Sequence, residues 1–520
     1  MSVLGLVALA LSVRVIGLDW GLPSAQQLGS FHPDEVDIAG RAALMASTSD
    51  LNPHFFNYGT ATIYATAALG AMLRLSTNAE WHLLCRLLTA LLGTATVALT
   101  FSLARSLLTA EPRNATALLA AGLLALAPGH VVHSHFATVD VPAAFFVVAS
   151  ATCAAQMFHS NSLRWPALAS VCAGLAAATK YNMGLAILFV PTASWLAHRD
   201  RALLPAAAPA SWSILAPFVV LPAALAFLVS CPFALIDFST FWRDFTFELH
   251  HVRTGSGLIF QGVGPGWWNH LNTNLPFALT TPLLVCSLAG WLIGWRQRQR
   301  WVLFVAAFVV PYAFVIGAAQ VSFLRYVIPL LPFLCMAAAS GLIELRAHSR
   351  LASAAMVAFS AVFALPAVQP FVTTDPRVAA AAWLREHVNP NDRIGLLTQP
   401  WFYTPPLTPY NLGPRNPRNS PGNERFVICP GWDAKKLERE LPEWFVTSEF
   451  ETRDEVRLGD PRARDFMEVL KFHYRASYHY PPRSTRGFAA GFPNRDLWTP
   501  HDWLYTRPTI RIYRRKVKES

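Results

Sequence analysis

Charged side chains avoid the first 370 residues. The chain has 73 charged residues, 42 basic and 31 acidic; only 31 of the 73 lie in residues 1–370, and the other 42 crowd into the last 150 of its 520 residues. A soluble globule averages about 25% charged residues, against 14% here, and no soluble core encloses 370 residues so poor in charge. Disorder requires low hydrophobicity, whereas 53% of this chain is hydrophobic. The apolar stretches run continuously instead of alternating, which argues against a transmembrane barrel. What remains is a polytopic α-helical membrane region, residues 1–370, followed by a soluble domain, residues 371–520.

The net charge of +11 does not point to nucleic acid, because Lys and Arg in a membrane protein first set topology. Six of the seven cysteines (Cys85, Cys153, Cys172, Cys231, Cys286 and Cys335) lie in or beside apolar runs. Cys429 alone belongs to the tail, so that domain folds without disulfides. Val3 to Leu18 lacks a preceding basic cluster and reads as a retained first span, with Arg14 near its far end able to snorkel or pair inward.

Apolar runs cover 1–18, 58–75, 84–104, 114–130, 141–158, 166–179, 181–197, 211–231, 273–294, 301–319, 326–345 and 351–370. Loop charge decides which of them cross. With 58–75 lying in the interface, one face collects ten bases (Arg105, Arg113, Arg164, Arg199, Arg201, Arg296, Arg298, Arg300, Arg346 and Arg350) against Glu111, Asp200 and Glu344. The other face collects six bases and ten acids. The positive-inside rule then predicts about eleven spans, a cytoplasmic N-terminus and an extracytoplasmic tail. Loops 19–81, 131–140 and 232–272 share that outer face, as do Lys180 and residues 320–325.

In the tail, residues 377–388 and 433–440 are predicted helical, and 393–397, 425–429, 444–447 and 509–513 are predicted strands. The Pro-, Asn- and Gly-rich 400–423 is predicted loop. A small α/β domain results.

Three outer loops carry chemistry. The first contains Phe31-His32-Pro33-Asp34-Glu35-Val36-Asp37. Carboxylates this close raise at least one pKa or recruit a cation, and one held near a membrane surface is a candidate general base; an acidic helix start with Asp34 as N-cap is the structural alternative. The second, His130 to Pro142, holds His133, His135 and Asp140, the last either a second carboxylate facing the Asp34 cluster or a helix cap. The third runs Glu248-Leu249-His250-His251-Val252-Arg253-Thr254-Gly255 and on to Trp267-Trp268. Its glycines follow no strand and open no helix, so it is not a nucleotide loop; it is expected to be a flexible segment at the bilayer surface. Lys180 and Arg325 are isolated bases at outer span ends. Such cations oppose the topology rule and need a reason: an anionic lipid headgroup, or a structural partner such as Asp34 or Asp140.

Taken together, these residues resemble the GT-C superfamily, in particular the group of glycosyltransferase family 39, the protein mannosyltransferases and the aminoarabinose transferases. The resemblance rests on His32-Pro33-Asp34-Glu35 after the first span, Asn57-Tyr58-Gly59 before a juxtamembrane helix, Arg86, Thr138-Val139-Asp140-Val141-Pro142, Thr179-Lys180-Tyr181, and Arg325-Tyr326 through Pro332. It departs where aminoarabinose transferases carry Lys-Pro-Pro, since Asn57-Tyr58-Gly59 offers no lysine. The resemblance implies a sugar transferred from a polyprenyl-phosphate donor to a protein, glycan or lipid acceptor, on the outer face of a bacterial plasma membrane. It implies catalytic roles for Asp34, Glu35 and Asp140, with Asp34 the base. Arg325, Lys180 and Arg253 are expected to bind the donor phosphate, and His250, His251, Tyr58 and Tyr326 to contact the acceptor or neighbouring loops. No cofactor is required; a divalent metal can be placed near Asp34 and Glu35. Such a transfer needs no general acid, because phosphate leaves as a stable anion, and it inverts the anomeric carbon if no covalent sugar–enzyme intermediate forms. A transporter or lipid flippase, an O-antigen-type polymerase and a non-catalytic receptor are the competing readings. Against the transporter stand the absence of an internal repeat and the clustering of acids in loops.

Overall fold

The computed structural model describes residues 2–25, 27, 29–110, 112–201, 216–255, 257–407, 425–480 and 499–516. Most of the expected 400–423 loop, part of the 211–231 run and Lys518 lie outside them. The chain divides into two compact units. The first comprises Met1–Leu18, Asp37–Gly255 and Gly264–Val368. The second comprises Asp19–Val36, Ser256–Val263 and Gln369–Ser520. The division therefore does not fall at one point near residue 370: two loops of the apolar region, Asp19–Val36 and Ser256–Val263, fold with the tail.

The first unit is helical. Among the described residues four helices are long and apolar enough to cross a membrane: Asn78–Leu107, Asp140–Phe158, Arg300–Gly317 and Leu324–His348. A fifth candidate, Gly266–Leu279 with Thr281–Arg296, is bent by 109°, and Thr280 at the bend has φ of 76°. Ala61–Met72, at 12 residues, extends about 18 Å, short of a hydrocarbon core of about 30 Å. The Leu331–His348 helix packs on Thr281–Arg296 through small residues. A Cβ on Gly290 would stand 1.9 Å from the Ala337 carbonyl oxygen, so the backbones touch in the manner of small-residue membrane interfaces.

Arg14 pairs inward. Its guanidinium is fully buried and donates to the carbonyls of Ala125 at 3.2 Å and Leu124 at 3.3 Å, and to Nδ1 of His130 at 3.1 Å. It thus caps the negative end of the Arg113–Ala125 helix.

The second unit is built on a sheet. In chain order β1 is Ile394–Leu396, β2 Phe426–Ile428, β3 Trp444–Ser448, β4 Tyr474–Tyr480 and β5 Ile510–Arg515. Their spatial order is β2-β1-β3-β5-β4, with β1 parallel to β2 and β3, and β5 antiparallel to β3 and β4. Successive side chains of a strand point to opposite faces, and β3 shows it: Trp444 and Val446 pack with Ala380, Leu384 and Ile512 on one side, Phe445 with Val427, Phe466 and Leu470 on the other. The helices Pro376–His387 and Ala434–Glu440 lie where the sequence places them. Helices Glu449–Leu458 and Pro461–His473, and strand β4, were not anticipated.

Candidate active site: a cationic cavity and an acidic loop

The expected flexible segment around residues 248–254 is the end of a helix, Phe238–Thr254. Asp237 caps it, accepting the Thr240 N–H at 3.3 Å, and Gly255 ends it with φ of 74°. The glycines and histidines concealed an amphipathic period. Phe241 and Phe245 pack on the Tyr181 ring at centroid distances of 5.9 and 5.3 Å, while Phe238 and Trp242 are exposed and stack on each other.

This helix walls a cavity of about 290 Å³. Phe245, Leu249, Val252, Val315, Ile316 and Ala319 make its apolar sides; Asn57, Tyr58, Lys180, Asn182, Glu248 and Tyr326 bring polar atoms to it. Tyr58 reaches the cavity because its loop lies directly on the Arg164–Thr179 helix. A Cβ on Gly59 would stand 2.0 Å from the Ala178 carbonyl oxygen. The Tyr181 hydroxyl is within hydrogen-bonding distance of the carbonyls of Phe56 and Tyr58, 2.9 and 2.8 Å.

At the cationic end, the Arg164–Thr179 helix breaks at Lys180, which is extended (φ −151°, ψ 118°). That break turns the side chain toward Asp140. Lys180 Nζ donates to Asp140 Oδ1 at 2.7 Å, and Arg325 Nε lies 3.9 Å from Asp140 Oδ2. Asp140 is not an N-cap: Val139 holds that position, and Asp140 opens the helix with its carboxylate committed to the two cations. The Lys180 ammonium also sits over the Tyr326 ring at 4.3 Å, and the Arg325 guanidinium over Phe323 at 4.0 Å. Two cations share one carboxylate, so the trio carries a net positive charge.

Glu248 had no role in the sequence reading. It belongs to the cavity wall, hydrogen-bonds Asn57, and burial pushes its carboxyl above the usual range against the opposing pull of His251, Lys180 and Arg325. The signal was present: at helical spacing Phe241, Phe245, Glu248 and Val252 share one face, and an acid on an apolar face is informative. By contrast, His250 and Arg253 are exposed and His251 stacks on Phe247.

Asp34 and Glu35 belong to the second unit. Glu35 is fully buried and accepts from the Ser30 hydroxyl; the same hydroxyl accepts the His32 N–H at 2.9 Å. The Asp34 N–H donates to His32 Nδ1 at 3.3 Å, and the His32 ring meets the Tyr505 ring edge-on at 4.5 Å. Asp34 itself is half-buried, in the turn just before the helical segment begins at Glu35. Asp37 lies 3.7 Å from Arg41. Each acid of the cluster thus has a distinct setting. Of the loop histidines, His133 packs against Phe136, and the ring nitrogens of His135 lie 2.9 and 3.1 Å from the carbonyls of Val131 and Ile16. Among the described residues no three His, Cys, Asp or Glu side chains group as metal ligands would.

A family model described as dolichyl-phosphate-mannose-protein mannosyltransferase matches residues 39–245. The match includes Asp140 and Lys180, and ends before Glu248. The fold is similar to the archaeal oligosaccharyltransferase AglB from Archaeoglobus fulgidus, solved in complex with an inhibitory peptide and a dolichol-phosphate. There the TM-score is 0.55 at 14% identity, over 92% of this chain and 73% of that one. The family match spans 207 of the 520 residues (39–245), and over the rest of the chain the likeness is one of fold. ArnT from Cupriavidus metallidurans, bound to undecaprenyl phosphate, is similar over 98% of the enzyme and 97% of ArnT, with a TM-score of 0.52 and 17% identity. No curated protein matches the enzyme in sequence. The four described helices that are long and apolar enough to cross a membrane fit a multi-pass membrane protein.

Proposed function

We propose that the enzyme transfers a sugar from a polyprenyl-phosphate donor to an acceptor hydroxyl on the extracytoplasmic face, with inversion at the anomeric carbon. The observation that carries this reading is the cavity: apolar walls suited to a prenyl chain meet, at one end, the Lys180 ammonium backed by Asp140 and Arg325. Similar folds hold dolichol-phosphate and undecaprenyl phosphate. Lys180 and Arg325 offset the charge that develops on the phosphate as the bond to the sugar breaks, an electrostatic contribution strengthened by the low-dielectric surroundings. Asp140 holds the two cations apart at fixed positions. Asp34 takes the proton of the acceptor hydroxyl as that oxygen bonds to the anomeric carbon; the leaving phosphate keeps the bonding electron pair. One displacement inverts the centre. Glu35, enclosed with Ser30, shapes the loop that presents Asp34. The exposed aromatic face of the Phe238–Thr254 helix suits the plane of the bilayer interface. This reading places about eleven spans in the membrane, the N-terminus in the cytoplasm and residues 371–520 outside.

The test is donor turnover in proteoliposomes. Purified wild type and Asp34→Asn receive a panel of polyprenyl-phosphate sugars with hydroxyl acceptors, and release of free polyprenyl phosphate is followed. Turnover in wild type that disappears in a folded Asp34→Asn protein supports the reading. Equal turnover in both removes Asp34 as base, and no turnover with any donor removes the reading itself.

A further inference from the structure

Arg377 is among the largest fully buried side chains of the protein. Five hydrogen bonds occupy its guanidinium, the longest from Nη1 to the Phe31 carbonyl at 3.5 Å. Nε and Nη2 form a fork onto Asp375, at 2.8 and 2.7 Å. Nη2 also donates to the Tyr505 carbonyl at 2.6 Å, and Nη1 to the Phe402 carbonyl at 2.7 Å. Its flat face lies 3.7 Å from the centre of the Phe31 ring. Asp375 in turn accepts the Trp20 indole N–H at 3.1 Å, and Trp20 packs edge-on to Phe31 at 5.7 Å and to Phe371 at 5.5 Å.

Trp20 and Phe31 flank the acidic loop, and both are bound to this one ion pair. Phe31 is three residues from Asp34. From the other side, Tyr505, whose carbonyl Arg377 holds, packs on His32, and His32 accepts the Asp34 N–H. Two routes therefore run from the guanidinium to Asp34: through the ring of Phe31, and through Tyr505 to His32. A buried ion pair adds little stability over well-packed apolar groups of the same size; its best-attested use is to fix one geometry among several. A planar fork with directional bonds to four chain segments does that, and an ammonium at the same place cannot.

We propose that Arg377 is the positioning residue of the reaction: through Asp375, Phe31 and Tyr505 it fixes where the 19–36 loop presents Asp34. The inference rests on the reading of Asp34 as the base. The C-terminal unit is then part of the catalytic apparatus, since it builds the loop from which the proton is taken.

The experiment uses full-length enzyme in proteoliposomes, with wild type, Arg377→Lys, Trp20→Phe, Arg385→Lys and Asp34→Asn compared. Arg385 is exposed on the same helix and serves as the control. Three quantities are read: kcat and donor KM from polyprenyl phosphate release, amide hydrogen exchange across residues 19–36 and across strands β1, β3 and β5, and the melting temperature. A misplacement of about 1 Å costs about 10²-fold in rate. Arg377→Lys is therefore expected to lose roughly 10- to 100-fold in kcat, with donor KM within about twofold because the cavity belongs to the other unit. Exchange should quicken in 19–36 and stay unchanged in the strands. Trp20→Phe removes the bond to Asp375, keeps an aromatic ring beside Phe31, and is expected to show a smaller change of the same kind; it serves if Arg377→Lys does not fold. An unchanged kcat, or a kcat loss accompanied by faster exchange in the strands, overturns the proposal. Should Asp34→Asn keep wild-type turnover, the base assignment fails and the proposal falls with it, and that arm alone identifies this outcome. With Asp34→Asn inactive and Arg377→Lys at full kcat, only the positioning role fails.

Discussion

Two buried pairs of a cation and a carboxylate invite comparison: Lys180 with Asp140 in the membrane unit, and Arg377 with Asp375 in the C-terminal unit. Their lengths are the same, 2.7 Å. Their surroundings differ. The Arg377 side chain is wholly enclosed (0% exposed), and its donors go to a carboxylate and three carbonyls. The Lys180 side chain keeps 12% exposure and lines a cavity that Glu248 also lines. A closed, fully satisfied cation fixes chain geometry. A cation that opens onto a cavity retains attraction for an anion entering it.

The largest effect expected from breaking this contrast is at the acid on the loop. Asp34→Asn should lower turnover by about 10²–10⁴-fold, the usual worth of a general base, and leave donor affinity intact; initial rates and a binding titration with unreactive polyprenyl phosphate check both. Next comes the open pair. Lys180→Met leaves Asp140 with one distant cation, and breaking a buried pair costs about 3–5 kcal/mol, so both melting temperature and polyprenyl-phosphate affinity should fall. Adding Asp140→Asn should recover much of the stability but not the affinity. Recovery of both would reduce Lys180 to a structural partner of Asp140.

A smaller effect is expected from Glu248. Burial raises its carboxyl pKa in the native protein. Protonation removes a negative charge from a cavity also served by His251, Lys180 and Arg325, so affinity for an anionic lipid should decline as pH rises through that pKa. The sign for stability is the same: the native state binds the proton more tightly than the unfolded chain, so this contribution is lost with rising pH. Glu248→Gln should flatten the dependence of affinity on pH, measured by titration from about pH 5 to 8 at constant ionic strength. The smallest effect is reserved for Arg253→Gln. Its exposed position at the end of the Phe238–Thr254 helix predicts a change in donor affinity within about twofold, since exposed charges contribute little. A loss matching that of Lys180→Met would erase the distinction between the open pair and the exposed helix end.

The sequence disclosed what local chemistry controls. Apolar composition announced the membrane region, and six segments of the tail were readable because their hydrophobic periods match their final conformations. Strand β4, Tyr474–Tyr480, escaped because its aromatic and polar residues give no apolar run. The Phe238–Thr254 helix escaped because its histidines and following glycines drew attention from the spacing of its aromatics, and Glu248 was overlooked with it. At Lys180 and Thr280 the apolar runs break in backbone conformations that hydropathy does not encode. Arg377 gave no sign at all. In sequence it is one more base near a helix start, and only its contacts with Phe402, Tyr505 and Phe31, 25, 128 and 346 positions away, make it a hub.

Those contacts bear on how the enzyme is made. Trp20 and Asp375 stand 355 residues apart, and at about 5–20 residues per second roughly 20 to 70 s pass between their emergence from the ribosome. During that interval the first loop to be synthesised has no partner, and its tryptophan and phenylalanine wait for a surface that does not yet exist. A chain released early would have its cavity helices and yet lack the surface on which the loop carrying Asp34 is seated.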